Sequence, residues 1–261
     1  MSRIQNMLSF LSCFSNDAIS VPSEDEIVVL LTQKPETETE KLPMGKIVTI
    51  EGNIGSGKST LLQNLQEEYR DDPNVIFLKE PVDEWEKIVD EYDQTMLQKF
   101  YGDQERYSFP FQMMAYISRL SLLRNAIKTN PRATIITERS LYTDRFVFAK
   151  MLYEMGRMED VCYQIYLRWF DDFVDECPIS KVIYVKADPY TCFDRILNRS
   201  RTGEEGIPLN YLEGCHAYHE SMMNNSEFAR NDDLVLDGNI DIFENDDYLK
   251  QWIADIKEFI K

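Results

Sequence analysis

The stretch Gly52-Asn53-Ile54-Gly55-Ser56-Gly57-Lys58-Ser59 joins a β-branched run, KIVTIE at 46–51, to a helical pattern that opens at Thr60-Leu61-Leu62. Its spacing matches GxxxxGK[ST] in full, and each part has a physical use. Glycines let backbone N–H groups converge on phosphate oxygens. Asn53, Ile54, Ser56 and Thr60 complete that cradle. The helix start adds orphan donors and the positive end of a dipole. Lys58 reaches the β/γ-phosphates, and the Ser59 hydroxyl can ligate Mg²⁺. An ordinary Gly-rich turn is the bland alternative. The strand before and the helix after favour a site for a nucleoside triphosphate.

Outward from this loop the pattern repeats. Short, nearly continuous apolar runs stand at 46–51, 74–80, 133–138, 181–186 and 234–237. Runs of that kind are expected of strands buried on both faces. Helical stretches fill the gaps at about 57–70, 108–129, 140–154, 159–175, 188–199, 208–228 and 244–260. The alternation predicts an α/β fold with a five-stranded parallel sheet and helices on both faces. Ligands then bind at the carboxyl ends of the strands.

Residues 1–43 read differently. They carry seven acids and three basic residues, with Pro22, Pro35 and the stretch PETETE. We expect a mostly disordered acidic extension there, with IVVLL at 27–31 as a short ordered patch, and one domain over 44–261. The 261 residues hold 46 acids against 28 Lys+Arg, a formal charge of −18. That argues against a broad nucleic-acid or anionic-membrane surface. No apolar run approaches the ~18 residues of a membrane span. Cys13, Cys162, Cys177, Cys192 and Cys215 are odd in number and widely spaced, which reads as free thiols in a reducing compartment. The expectation is a cytosolic protein, with mitochondrial import left open. His216 and His219 lack a second ligand pair and read as structural or solvent-exposed.

The strand ends carry the chemistry. The second run leads into Glu80-Pro81-Val82-Asp83-Glu84-Trp85. Glu80 can take a proton from a substrate hydroxyl there, or be a solvated loop acid. The third run ends in Glu138-Arg139-Ser140. One carboxylate could support Mg²⁺ while the other acts as base, and Arg139 could stabilise phosphoryl charge; favourable acids at a helix start would look the same. Arg195, Arg199 and Arg201 cluster before a loop bounded by Gly203 and Gly206. This reads as a lid over transferring phosphate or as a solvated arginine face. Gln112 and Arg119 lie two turns apart on one helix face among apolar neighbours. Embedded polar groups need partners, and a nucleobase edge supplies donor and acceptor together.

GNIGSGKST, EPVDEW, SFPFQMMAYISR, ERSLYTDRFVF and RSRTGEEGIPLNYLE occur in that order. Together they resemble the deoxyribonucleoside kinase family, in particular its deoxycytidine/deoxyguanosine kinase branch, over about 46–260. The resemblance implies a P-loop kinase fold with an arginine-rich lid. It implies Glu80 as general base on the sugar 5′-hydroxyl, Glu138 as the magnesium-associated acid, and Arg139 beside the 5′-oxygen and phosphate. Tyr101 and Glu204 match the pair that holds the 3′-hydroxyl. Gln112 matches the amide on the base edge, Phe111 and Phe148 the aromatic walls, and Trp85 a pocket wall. Arg195, Arg199 and Arg201 match lid arginines, and Asp241 falls in the loop around the donor base. The usual aromatic after it is Ile242 here. Arg119 and Asp144 match a pair that accompanies acceptance of deoxycytidine and deoxypurines over thymidine. A homodimer using Mg²⁺ with ATP or another nucleoside triphosphate is likewise implied.

The expected reaction is transfer of a γ-phosphoryl group to the 5′-hydroxyl of a deoxyribonucleoside, giving the monophosphate for dNTP salvage. Two rivals stay open. A nucleoside-monophosphate kinase shares the phosphate loop and lid, but needs cations for the acceptor's phosphate where this chain offers Glu80. A non-catalytic kinase-like subunit would tolerate loss of Lys58, Glu80 or Arg139, and all three are present.

Overall fold

Along β1 (Ile47–Glu51) side chains alternate between two apolar layers, as a strand's two-residue period requires. Val48 and Ile50 pack with Leu61, Leu62 and Leu65 of α1 (Lys58–Glu68) and Trp252 and Ile256 of α9 (Asp246–Phe259). Ile47 packs on the opposite layer with Tyr116, Leu120 and Leu123 of α4 (Gln104–Thr129) and with Tyr166 and Phe170 of α6 (Asp160–Phe173). The three α1 leucines are fully buried, which contributes roughly 1.5–3 kcal/mol each. Both faces of the sheet are thus covered, as the continuous apolar runs predict.

The computed structural model describes residues 45–199, 204, 206–225, 228, 233–242 and 245–261. The expectations for the extension at 1–43, for IVVLL at 27–31 and for Arg201 fall outside the described residues. The strands are β1, β2 (Val75–Leu78), β3 (Thr134–Glu138), β4 (Lys181–Lys186) and β5 (Leu234–Asp237). They form one parallel sheet in the order β2-β3-β1-β4-β5. The chain leaves β1 toward one edge and β3 toward the other. The crevice between their carboxyl ends is therefore the switch point where ligands bind in such sheets. β2 and β5, at the edges, are only partly buried.

The remaining elements are α2 (Val82–Trp85), α3 (Met96–Gly102), α7 (Pro189–Arg199) and α8 (Leu209–Met223). A further helix, α5, runs through Leu141–Thr143, a π-helical stretch Asp144–Ala149, and Lys150–Glu154. The sequence pattern misses α2 and α3, and it ends β2 two residues late. α2 is too short to show a period. α3 does carry a legible start: Thr95 and Gln98 form a capping box. α4 begins four residues before the predicted 108 because Asp103 accepts from the Arg106 N–H. Cys162, Cys177, Cys192 and Cys215 are not disulfide-bonded. No described helix is long and apolar enough to cross a membrane.

Candidate active site

The loop after β1 takes its shape from glycine. Gly52, Gly55 and Gly57 all have positive φ, which side-chain-bearing residues rarely adopt. A Cβ on Gly52 would stand 2.4 Å from the Val185 carbonyl, and one on Gly55 2.6 Å from that of Cys192. The loop is therefore seated hard against β4 and α7. Gly57 caps α1 without a side chain. The first N–H groups of α1 are left for a ligand. Asn53 faces away from the cavity and fastens the loop to α8 through the Leu212 carbonyl, at 2.9 Å.

Lys58 is buried, with Nζ 2.5 Å from the Asn53 carbonyl. Burial, seconded by the nearby Arg139 charge, lowers its pKa to about 7. Ser59 Oγ donates to Glu138 Oε1 at 2.7 Å. This hydrogen bond brings together the two residues expected to share a metal.

Arg139 follows β3 with φ of 61°, a strained value for a non-glycine residue. The strain turns its guanidinium onto Glu80, with Nη1 2.6 Å from Oε1. Arg119 Nη2 approaches the same oxygen at 3.0 Å. Burial alone would raise the Glu80 pKa, but Arg139 and Arg119 outweigh it and hold the carboxylate at about 2. Arg119 also donates to both Asp144 oxygens, at 2.9 and 3.4 Å, and to the Glu138 carbonyl at 2.6 Å. Burial lifts the Asp144 carboxyl to about 6, against the pull of Arg119.

A cavity of about 480 Å³ runs along these strand ends. At one end its wall is Ile54–Thr60 with Glu138, Arg195, Arg199 and Asp241. At the other it is Glu80, Trp85, Tyr101, Phe111, Gln112, Asp144, Phe148 and Glu204, with Arg139 also in the wall. Residues expected at the site on sequence grounds thus converge. Gly52, Asn53 and Arg119 stand behind the wall as supports. The aromatic wall is continuous: Trp85 meets Phe111 edge-on at 5.7 Å, Phe111 stacks on Phe100 at 4.5 Å, and Tyr101 lies edge-on to Tyr211 at 6.1 Å. Gln112 is buried and its Oε1 has no hydrogen-bond partner among the described residues. The π turn in α5 sets Asp144 and Phe148 both in the wall.

The two described arginines of the expected lid, Arg195 and Arg199, are engaged. Arg195 donates to the Gly238 and Ile240 carbonyls at 2.6 and 3.1 Å, and so ties α7 to the loop after β5. Arg199 is paired with Glu204. Sequence reasoning missed Leu97, Phe100 and Tyr211, which belong to the aromatic part of the wall, and Ile240 and Trp252, which also line the cavity. The capping box at Thr95 would have located the first two. Trp252 gave no local signal, because only the packing of α9 brings it there. His219 is buried rather than solvent-exposed, with Nδ1 2.7 Å from the Cys215 carbonyl.

A family model described as deoxynucleoside kinase matches residues 48–261. Human deoxycytidine kinase is 35% identical over 242 residues, covering 82% of this chain and 91% of that protein. Deoxycytidine kinase of Rattus norvegicus is 34% identical over 253 residues, with coverage of 87% and 95%. The mitochondrial deoxyguanosine kinase of Xenopus laevis is 30% identical over 220 residues, with coverage of 77% and 80%. A phosphate loop facing a paired carboxylate across an aromatic cavity, on a sheet of this order, accords with that match over nearly all the described residues, and the chain belongs to the deoxynucleoside kinase family.

Proposed function

We propose that this kinase transfers the γ-phosphoryl group of ATP or another nucleoside triphosphate to the 5′-hydroxyl of a deoxyribonucleoside, with deoxyadenosine, deoxyguanosine or deoxycytidine preferred over thymidine. The observation that carries the reading is the pairing of Glu80 with Arg139 at the point where the phosphate loop meets the aromatic cavity. Glu80 accepts the hydroxyl proton. Lys58, Arg139 and the lid arginines offset charge on the moving group. In such transfers positioning and charge stabilisation supply most of the rate. As the phosphoryl group draws the Arg139 guanidinium toward itself, Arg139 loosens its hold on Glu80, and the carboxylate becomes the stronger base the reaction needs. Tyr101 and Glu204 hold the sugar 3′-hydroxyl, Gln112 takes the base edge through its unpartnered Oε1, and Phe111, Phe148 and Trp85 enclose the ring. Asp241 and the loop after β5 take the donor base.

Ser59 and Glu138 fit Mg²⁺. They offer two hard oxygens 2.7 Å apart at the start of α1, and this ion usually takes one or two protein oxygens, with phosphates and water completing its shell. Ser59 and Glu138 would hold the ion, and its chemistry there would be neutralisation of charge on the triphosphate.

A monophosphate kinase would need cations free to take the acceptor's phosphate. Here Arg119 is committed to Glu80 and Asp144, Arg139 is, among the described residues, the one cation paired with Glu80 that is left to serve the transferred group, and the rest of that end is largely aromatic. Offering a deoxynucleoside and its 5′-monophosphate as competing acceptors separates the two. The nucleoside is expected to be consumed; preferential conversion to diphosphate would overturn the reading.

A homodimer is supported by α6, where Val161, Ile165 and Trp169 recur every fourth residue and are exposed. Ile117 of α4 is exposed beside them, and Tyr116 Oη donates to the Trp169 carbonyl at 3.0 Å. The four described cysteines, none in a disulfide, suit the cytosol. We assign catalysis to 44–261 alone: a chain started at Met44 should keep its kcat/KM, and a tenfold loss with an intact fold would show that residues 1–43 contribute.

Lys58 gives a pH prediction with a definite sign. Its lowered pKa leaves it partly neutral near pH 7 in the free enzyme. Bound phosphates favour the charged form and raise that pKa. Nucleotide binding should therefore take up close to one proton at about pH 8.5 and almost none at about pH 5.5. Binding enthalpies in two buffers of different ionisation heat measure this, and equal enthalpies at the higher pH would refute it.

A further inference from the structure

Glu80 stands two residues past the end of β2, and the chain then has little to hold it. Pro81 donates no hydrogen bond. α2 is a single turn of four residues without a side-chain cap, and a helix that short is not stable by itself. Within α2 Val82 and Trp85 are the buried residues, and the two residues between them, like those at 86–89, are exposed. Val82 anchors α2 through apolar contact alone; the orientation of the helix's other anchor, Trp85, depends on what its indole N–H meets.

Ser118 fixes it. Its Oγ donates to the Ala115 carbonyl one turn back on α4, at 3.0 Å. That spends its proton and leaves a lone pair, which accepts from the Trp85 indole Nε1–H at 2.9 Å. The chain of bonds sets the plane of the indole. The indole in turn meets Phe111 edge-on, and both rings line the cavity. Ala115, whose carbonyl ends the chain, lines it too. The next residue, Arg119, holds the Glu80 carboxylate itself. Adjacent residues of one rigid helix thus hold both ends of the Glu80–Trp85 segment.

We propose that Ser118 is a positioning residue for nucleoside binding: it orients the Trp85 wall through the indole N–H and keeps α2 docked on α4. It does not touch the reacting atoms. The proposal rests on the nucleoside reading of the cavity above.

The test compares Ser118→Ala and Ser118→Thr with the unmodified protein. Ser118→Ala strands a part-buried indole donor, so the nucleoside KM should rise about 5–30-fold. Its kcat should stay within about threefold, and the KM for the triphosphate should not move. Ser118→Thr keeps the hydroxyl and should restore the nucleoside KM. In ¹H–¹⁵N spectra the Trp85 indole resonance, identified by its loss in Trp85→Phe, should shift upfield and exchange faster with solvent in Ser118→Ala. The Trp169 and Trp252 resonances should stay in place. An unmoved Trp85 resonance, or a nucleoside KM equal to that of the unmodified protein, overturns the proposal. So does a variant that only melts earlier with both kinetic constants intact. The indole measurement needs no turnover. An unmodified protein that fails to phosphorylate nucleosides would overturn the nucleoside reading, while the indole would still decide whether Ser118 holds Trp85.

Discussion

Glu80→Gln is expected to lower kcat by about 10²–10⁴ and to leave nucleoside affinity nearly intact, because a lost general base acts mainly on the transition state. Glutamine preserves the shape and can still accept from Arg139 and Arg119, which stand 2.6 and 3.0 Å from the native carboxylate. What it removes is the charge and the proton-accepting capacity. The same substitution has a stability signature. Arg139 and Arg119 hold Glu80 well below its ordinary 4.5, at about 2, despite burial. A carboxylate with a depressed folded-state pKa contributes stability that is fully present above about 4.5 and is lost as pH falls toward 2. The variant should therefore unfold more easily than the unmodified protein at neutral pH, and the gap should close in acid. Steady-state rates with saturating nucleoside and triphosphate measure the catalytic part. Turnover near that of the unmodified protein would remove Glu80 from the role of base.

The second large effect concerns the Arg119–Asp144 pair. Asp144 lines the cavity, and Arg119 stands behind it with its donors spent on Asp144, Glu80 and the Glu138 carbonyl. What faces the cavity is thus a carboxylate held in one orientation by Arg119. A thymine methyl placed against it would meet desolvated charge and displace a polar partner. Such mismatches support roughly 10²–10⁴-fold discrimination. Replacing Arg119 with Met and Asp144 with Ala together should raise thymidine kcat/KM relative to the other deoxynucleosides toward parity. Arg119→Met alone should instead cost about 3–5 kcal/mol of stability, because it strands a buried acid. It would also take one of two guanidinium partners from Glu80. Relative kcat/KM values and thermal unfolding of the single and double variants check both parts. A double variant as averse to thymidine as the parent would assign the discrimination elsewhere.

Much of this was legible before any coordinates. The five apolar runs became the five strands because parallel strands buried on both faces need no alternation, and little else in a chain of this composition produces such runs. The phosphate loop announced its own position, since glycine spacing, lysine and hydroxyl must occur together. Glu80 and Glu138-Arg139 could be singled out once the sheet was known to be parallel. The rest depended on distance in space. The Arg139–Glu80 pair joins residues 59 apart in sequence, and no local pattern records which acid an arginine will meet. Arg119 looked like a wall residue and stands behind the wall. Arg195 looked like a free lid cation and is tied to the loop after β5. Trp252 reaches the cavity only through the packing of α9, and Ser118 reads as an unremarkable helix serine until Trp85 is placed beside it.

The central claim is that the hydroxyl of an uncharged deoxynucleoside is the phosphoryl acceptor, chosen by the wall around Asp144 and Gln112. It is tested most directly by kcat/KM of the unmodified protein for all four deoxynucleosides with one triphosphate donor. The account predicts 5′-monophosphate as product, with deoxyadenosine, deoxyguanosine or deoxycytidine used well above thymidine. Thymidine as the best substrate, or no phosphorylation of any of the four, would contradict it.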